Sequence, residues 1–284
     1  MITPSRGNPM PHSEFWCKTE DGLQLYAQNW QPEMKPQAAV CLIHGLGEHS
    51  GRYSHVARFL NKSGYTLIAI DLRGHGKSEG RRGHTPSYET LMNDISHLLQ
   101  MAKKRYPDCP LFLYGHSLGG NLVINYALRS NPRLNAVIAS APLLRTFFDL
   151  PIWKMAMARI MRYLWPTFST SNGLNVKNLS RDARVVHDYQ NDPLVHDRVT
   201  TCFLDIRHAG LWALEYAAKF SLPLLLMHGD ADRITSPQAS REFAAKMGDR
   251  CTLKIFNGLY HEIHNEPESE VVFSCLSEWL LSKM

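Results

Sequence analysis

The chain of 284 residues contains no uninterrupted stretch of the roughly 20 apolar residues that a helix needs to cross a bilayer, so no membrane-spanning helix is expected. It also has no C-x-x-C pair. Its six cysteines (Cys17, Cys41, Cys109, Cys202, Cys251 and Cys275) stand far apart and read as reduced, mostly buried thiols rather than a disulfide framework. The opening segment, MITPSRGNPMPHSEFW, lacks the apolar centre of a secretory signal, and its prolines suggest a loose arm over residues 1–13. The expectation is a cytoplasmic protein, peripheral at a membrane at most. There is no block of one charge: the formal balance of +5 is spread along the chain. The pair Arg81-Arg82 has no basic stripe or stacking aromatics around it, which argues against a nucleic-acid partner. Repeats and low-complexity tracts are missing too. Around His44–His49 and His261–His264 the H-E-x-x-H spacing of zinc hydrolases is absent, so no metal and no organic cofactor is expected.

What is present is an alternation of short apolar runs with helical patterns, the mark of an α/β fold with a mostly parallel sheet. Leu23–Trp30 alternates like an early antiparallel strand. Ala38–His44, Tyr65–Asp71, Leu111–His116, Leu134–Pro142, Leu222–Gly229 and Cys251–Phe256 read as buried strands. Helical patterns occupy Tyr53–Asn61, Ser87–Arg105, Leu118–Arg129, Pro237–Met247 and Glu268–Leu281. From 145 to 207 the rhythm stops. There, at about 100° per residue, Trp153, Met157, Ile160 and Leu164 fall on one side of a helix and Lys154, Arg159 and Arg162 on the other. This segment is expected to be a helical cap inserted between core segments 1–144 and 208–284, over the sheet edge where open α/β sheets place their sites.

Gly115-His116-Ser117-Leu118-Gly119 matches the G-x-S-x-G elbow, between a predicted strand and a predicted helix. Glycines flank the serine because so tight a turn leaves no room for side chains there. A serine hydroxyl needs a base to become a nucleophile. Of 14 histidines, His261 follows the last predicted strand, where the chain order Ser, acid, His requires it, with His264 as its local rival. The orienting acid is expected on the loop after the preceding strand, which offers Asp230 and Asp232. Asp232 lies further out and is preferred; Asp230 suits a turn. The His-Gly-rich loop Leu42–His49 offers the N–H of Leu46, to pair with that of Leu118 as an oxyanion hole. His44 reads as a brace for that loop.

Together these motifs resemble the α/β-hydrolase family of serine lipases and esterases, and more narrowly its monoacylglycerol lipase and lysophospholipase group. The resemblance runs from about Gly22 to Leu281 and rests on HGLGEHSGRY, DLRGHGKSEG, GHSLGG, GDADR and YHEIHNE, and on LSRDARVVHDYQNDPLVH in the cap. It implies an α/β-hydrolase fold with an inserted cap and a catalytic Ser117–Asp232–His261 triad. It also implies a small lipid ester as substrate, a monoacylglycerol cleaved to fatty acid and glycerol. Lysophospholipase, general carboxylesterase or ligand-binding roles are the alternatives. An acyl chain needs an apolar slot, for which Phe147, Phe148, Leu150, Ile152, Trp153, Met157 and Ile160 are the candidates. The basic and aromatic residues of the same helix suggest transient contact with a membrane surface.

Overall fold

In the central strands both faces are apolar, because helices cover the sheet on each side. The computed structural model describes residues 11–148 and 152–284, the side chains of Ile152 and Lys154 excepted. Among them the strands are β1 (His12–Lys18), β2 (Gln24–Trp30), β3 (Ala38–Ile43), β4 (Tyr65–Ile70), β5 (Leu111–His116), β6 (Ala136–Ser140), β7 (Ser169–Ser171), β8 (Arg198–Thr200), β9 (Leu224–Gly229) and β10 (Cys251–Phe256). The helices are α1 (Ser54–Lys62), α2 (Tyr88–Arg105), α3 (Leu118–Ser130), α4 (Ile152–Leu164), α5 (Ala183–Asn191), α6 (Phe203–Tyr216), α7 (Pro237–Met247) and α8 (Ser269–Leu281).

Eight strands form one sheet in the order β1-β2-β4-β3-β5-β6-β9-β10, antiparallel across β1–β2 and β2–β4 and parallel from β4 to β10. The period of two along each strand sorts its side chains. Cys41, Ile43, Leu113, Val137 and Leu226 point into the core shared with α2, α3, α6 and α7. Val40, Leu42, Phe112, Ile138 and Leu225 point into the core under α1 and α8. Burying each such side chain contributes roughly 1.5–3 kcal/mol. Helix starts follow capping chemistry: Ser87 accepts from the Thr90 N–H, and Ser236, ahead of Pro237, accepts from the Ala239 N–H.

Strand β1 begins at His12, which pairs with Trp30, inside the stretch expected to be a loose arm. It is an edge strand, exposed along one face, and its polar residues hide the alternation a buried strand would show. Chain order reverses beside β3, whose neighbours are β4 and β5. At such a switch point the strand ends leave a crevice. Residues of α4, of the β7–β8 ribbon and of α5 share the wall of the cavity there. Residue 207 lies within α6, which is seated on α3: Asn121 and Asn125 donate to the carbonyls of Ile206 and Ala209 at 3.1 and 3.2 Å. No helix among the described residues is long and apolar enough to cross a membrane.

Candidate active site

Each chemical group at the crevice comes from a loop that leaves the C-terminal end of a parallel strand. Ser117 sits between β5 and α3 at φ 54° and ψ −113°, a region L-residues rarely occupy, at a cost of order 1–3 kcal/mol. The packing that enforces this is specific. A Cβ on Gly115 would collide with the Gly119 carbonyl, and one on Gly119 with the Ile43 carbonyl. The Ser117 N–H donates to the Ser140 carbonyl at 2.9 Å and the Ser117 carbonyl accepts from the Leu143 N–H at 2.9 Å, which ties the turn into the sheet.

His261, on the loop after β10, places Nε2 2.9 Å from Ser117 Oγ. Its Nδ1 lies 2.7 Å from Oδ2 of Asp232, on the loop after β9. Asp232 is wholly buried, and Ser117 and His261 nearly so. Burial alone would push the Asp232 carboxyl up; the positive charge of protonated His261 and the hydrogen bonds from His228 and His261 outweigh it and hold the group far below the carboxylate range. Burial alone would lower His261, but the Asp232 carboxylate, its hydrogen bond and the nearby Glu262 raise it. The structure therefore brings Ser117, His261 and Asp232 together in one hydrogen-bonded line.

The rivals stand elsewhere. Asp230 accepts from the Gly258 N–H at 2.6 Å, a turn-holding bond. His264 is buried behind the site, stacked on Tyr53 with ring centroids 5.0 Å apart. His44 is a brace: Leu72 donates to its Nε2 at 2.9 Å, so Nδ1 carries the proton and donates to the Gly45 carbonyl at 2.7 Å. Neither the Leu46 nor the Leu118 N–H donates to another group among the described residues.

The cavity above Ser117 has a volume of about 740 Å³ and a mostly apolar wall. Of the residues expected to line it, Phe148 and Met157 do so. Phe147, Trp153 and Ile160 do not, which corrects the sequence-based slot. Leu150 and the side chain of Ile152 lie outside the described residues. The cause is helix rotation. Met155, Ala158 and Met161 face the cavity, about 130° around α4 from the stripe centred on Trp153, Met157, Ile160 and Leu164. Apart from Met157, that stripe faces solvent instead: Trp153 is 62% exposed, Ile160 59% and Leu164 75%.

Sequence reasoning also missed a buried ionic clasp. Arg52 donates to Glu48 at 2.6 Å and, through both terminal nitrogens, to Glu262 at 2.7 and 2.8 Å. Glu48 in turn accepts from the Gly45 N–H at 2.6 Å, so the loop after β3 is tied to the loop carrying His261. The signal was there, in HGLGEHSGRY, but charges read as solvated until their partners are known.

Comparison with known proteins follows the same lines. Residues 34–268 match the family described as serine aminopeptidase, S33. An uncharacterized abhydrolase domain-containing protein of Dictyostelium discoideum is 36% identical over 270 residues, 94% of this chain, although the chain spans only 28% of that protein's length. The monoacylglycerol lipase of Mycolicibacterium smegmatis is 33% identical over 266 residues, covering 93% of this chain and 95% of that one. The crystal structure of Paleococcus ferrophilus monoacylglycerol lipase superposes with a TM-score of 0.81 at 36% identity, over 98% of this chain and 100% of that one. The chain belongs to the serine aminopeptidase S33 family and is a carboxylic-ester hydrolase on the α/β-hydrolase fold.

Proposed function

We propose that this protein hydrolyses monoacylglycerols to glycerol and a free fatty acid through Ser117, His261 and Asp232. The observation that carries the reading is Ser117 Oγ, 2.9 Å from the His261 imidazole, at the wall of an apolar cavity of about 740 Å³. Pockets of that size take small-molecule ligands. His261 accepts the serine proton as Oγ attacks the ester carbonyl, and Asp232 holds the resulting imidazolium. The Leu46 and Leu118 amides receive the charge on the tetrahedral oxygen. His261 passes the proton to the departing glycerol oxygen, leaving the fatty acyl group on Ser117. Water, deprotonated by the same histidine, attacks that ester and frees the acid. Met155, Ala158, Met161 and Phe168 offer apolar surface to a single acyl chain. Near the serine the wall carries the carboxylates of Glu48 and Glu262, with Arg52 between them, which favours a neutral polyol head over a phosphate.

The test is turnover by wild type and Ser117→Ala of monoacylglycerols from medium to very long chain, beside lysophosphatidylcholine, short aryl esters and aminoacyl anilides. Serine-dependent activity that peaks on long-chain monoacylglycerols is expected. A preference for lysophosphatidylcholine, short esters or anilides would reassign the substrate. Tight ligand binding without turnover would mark a binding protein.

The solvent-facing stripe of α4 supports a second reading, transient docking on a lipid surface. Met157 is 47% exposed, and with Trp153, Ile160 and Leu164 it forms an apolar stripe along one side of α4. Exposed apolar surface of this kind marks an interaction site. Flotation with anionic and neutral vesicles tests it, and no association with either would remove it.

A further inference from the structure

The carboxylate that holds His261 also holds a second imidazole. His228, on β9, has no solvent exposure, and its Nε2 lies 3.0 Å from Asp232 Oδ2, the same oxygen His261 Nδ1 approaches. An ionised carboxylate can only accept, so the proton of this hydrogen bond sits on His228 Nε2. In the neutral ring Nδ1 is then an acceptor. The Ser240 hydroxyl, on α7 and 2.8 Å away, has no other partner among the described residues and donates to it. Protons therefore point one way, from Ser240 to His228 to Asp232, and they meet the His261 arm at Oδ2. Thr235 Oγ donates to that oxygen too, at 2.8 Å, while the N–H groups of Ile234 and Thr235 hold Oδ1 at 2.7 and 3.1 Å.

We infer that His228 is a positioning residue for the ester hydrolysis proposed above: it pins Asp232 Oδ2 beneath His261 Nδ1 and draws off part of the carboxylate's charge, which keeps His261 free to accept the serine proton. The inference rests on that reading of the site. Without the His228 donor, less of the charge on Oδ2 is drawn away, and that oxygen acts more strongly on His261. The imidazole then holds its proton more tightly and is a poorer base near neutral pH.

The other titratable groups that face His261 are His116 at the end of β5, with ring centroids 4.8 Å apart, Glu262 beside it and Glu48 from the loop after β3, the two carboxylates bridged by Arg52. Among the described residues His228 hydrogen-bonds Asp232, Thr235 and Ser240, so its replacement leaves those other charges in place.

The experiment compares His228→Leu, His228→Gln and Ser240→Ala in the full chain by the pH profile of kcat/KM and by the Nδ1–H resonance of His261 in ¹⁵N-histidine-labelled protein. His228→Leu is expected to lower kcat roughly ten- to a hundredfold, the range found when groups that orient a ligating imidazole are removed. The acid limb should move upward by roughly half a pH unit or more, with a shifted Nδ1–H resonance. Glutamine, which can donate from its own Nε2, should restore both toward wild type. Ser240→Ala should move the limb the same way by less. A leucine variant that loses kcat with limb and resonance unmoved would show a merely space-filling histidine and overturn the inference. If that variant does not fold, an unmoved limb in Ser240→Ala overturns it instead. The resonance needs no turnover, so it remains readable if the substrate assignment fails, whereas activity surviving in Ser117→Ala would sink the site reading itself.

Discussion

The sheet core and the cap use apolar residues in opposite ways. Strands β3, β4, β5 and β9 are buried at every position, and their side chains interlock with helices on two faces. Helix α4 also carries many apolar residues, yet no described side chain on it is fully buried; Met155, Ala158 and Met161 are half-covered over the cavity, which Met157 also lines, and Trp153, Ile160 and Leu164 face water. The core thus spends hydrophobicity on stability. Helix α4 leaves it uncovered, as cavity wall on one side and as an exposed stripe on the other.

The comparison can be broken or sharpened by experiment. The largest effect belongs to the rigid side of the crevice: Ser117→Ala should reduce kcat by about 10⁴-fold or more without lowering the melting temperature, since no packed atom but the hydroxyl is lost. Next is the core. Leu113→Ala should cost about 2–5 kcal/mol in denaturant unfolding. Leu164→Ala on the exposed stripe should stay within about 0.5 kcal/mol. Equal losses at the two positions would erase the contrast.

A smaller but more specific effect is expected from Ile160→Asp with Leu164→Asp. Vesicle association should fall several-fold, while turnover of a short soluble ester stays at the wild-type level, because neither residue lines the cavity. The mildest change is with pH. Burial holds His44, His55, His75, His84, His116, His196 and His264 below the ordinary value of 6.5, His116 to about 3 and His196 to about 4. The unfolded chain binds protons at these sites below about pH 6.5 while the native chain does not, so unfolding takes up protons and stability falls as pH drops. His261, raised in the native state, acts in the opposite sense: its contribution is present below 6.5 and is lost as pH rises through its native value. Seven against one, the melting temperature should decline from pH 7 to pH 5, and a flat profile would contradict the neutral histidines.

The legible parts of this protein were those governed by local rules. Elbow glycines, a strand before and a helix after, placed Ser117 without any contact information. Chain order then pointed to Asp232 and His261. His228 was not legible, because a histidine inside the apolar run LLLMHG looks like strand filling until the fold lays Asp232 and Ser240 against it. Edge strand β1 was missed for a related reason: its exposed face carries His12, Glu14 and Lys18, so no apolar period announces it.

Helix α4 shows where the boundary lies. Periodicity alone established that Trp153, Met157, Ile160 and Leu164 share a face, since helical geometry is a property of the chain itself. Which way that face turns was decided by the tertiary structure, because rotation about a helix axis is set by what the helix packs against. The same division holds at the site: residue types and their order follow from the sequence, whereas the 2.7 and 2.9 Å spacings that line up Asp232, His261 and Ser117 exist only once β5, β9 and β10 lie in one parallel sheet.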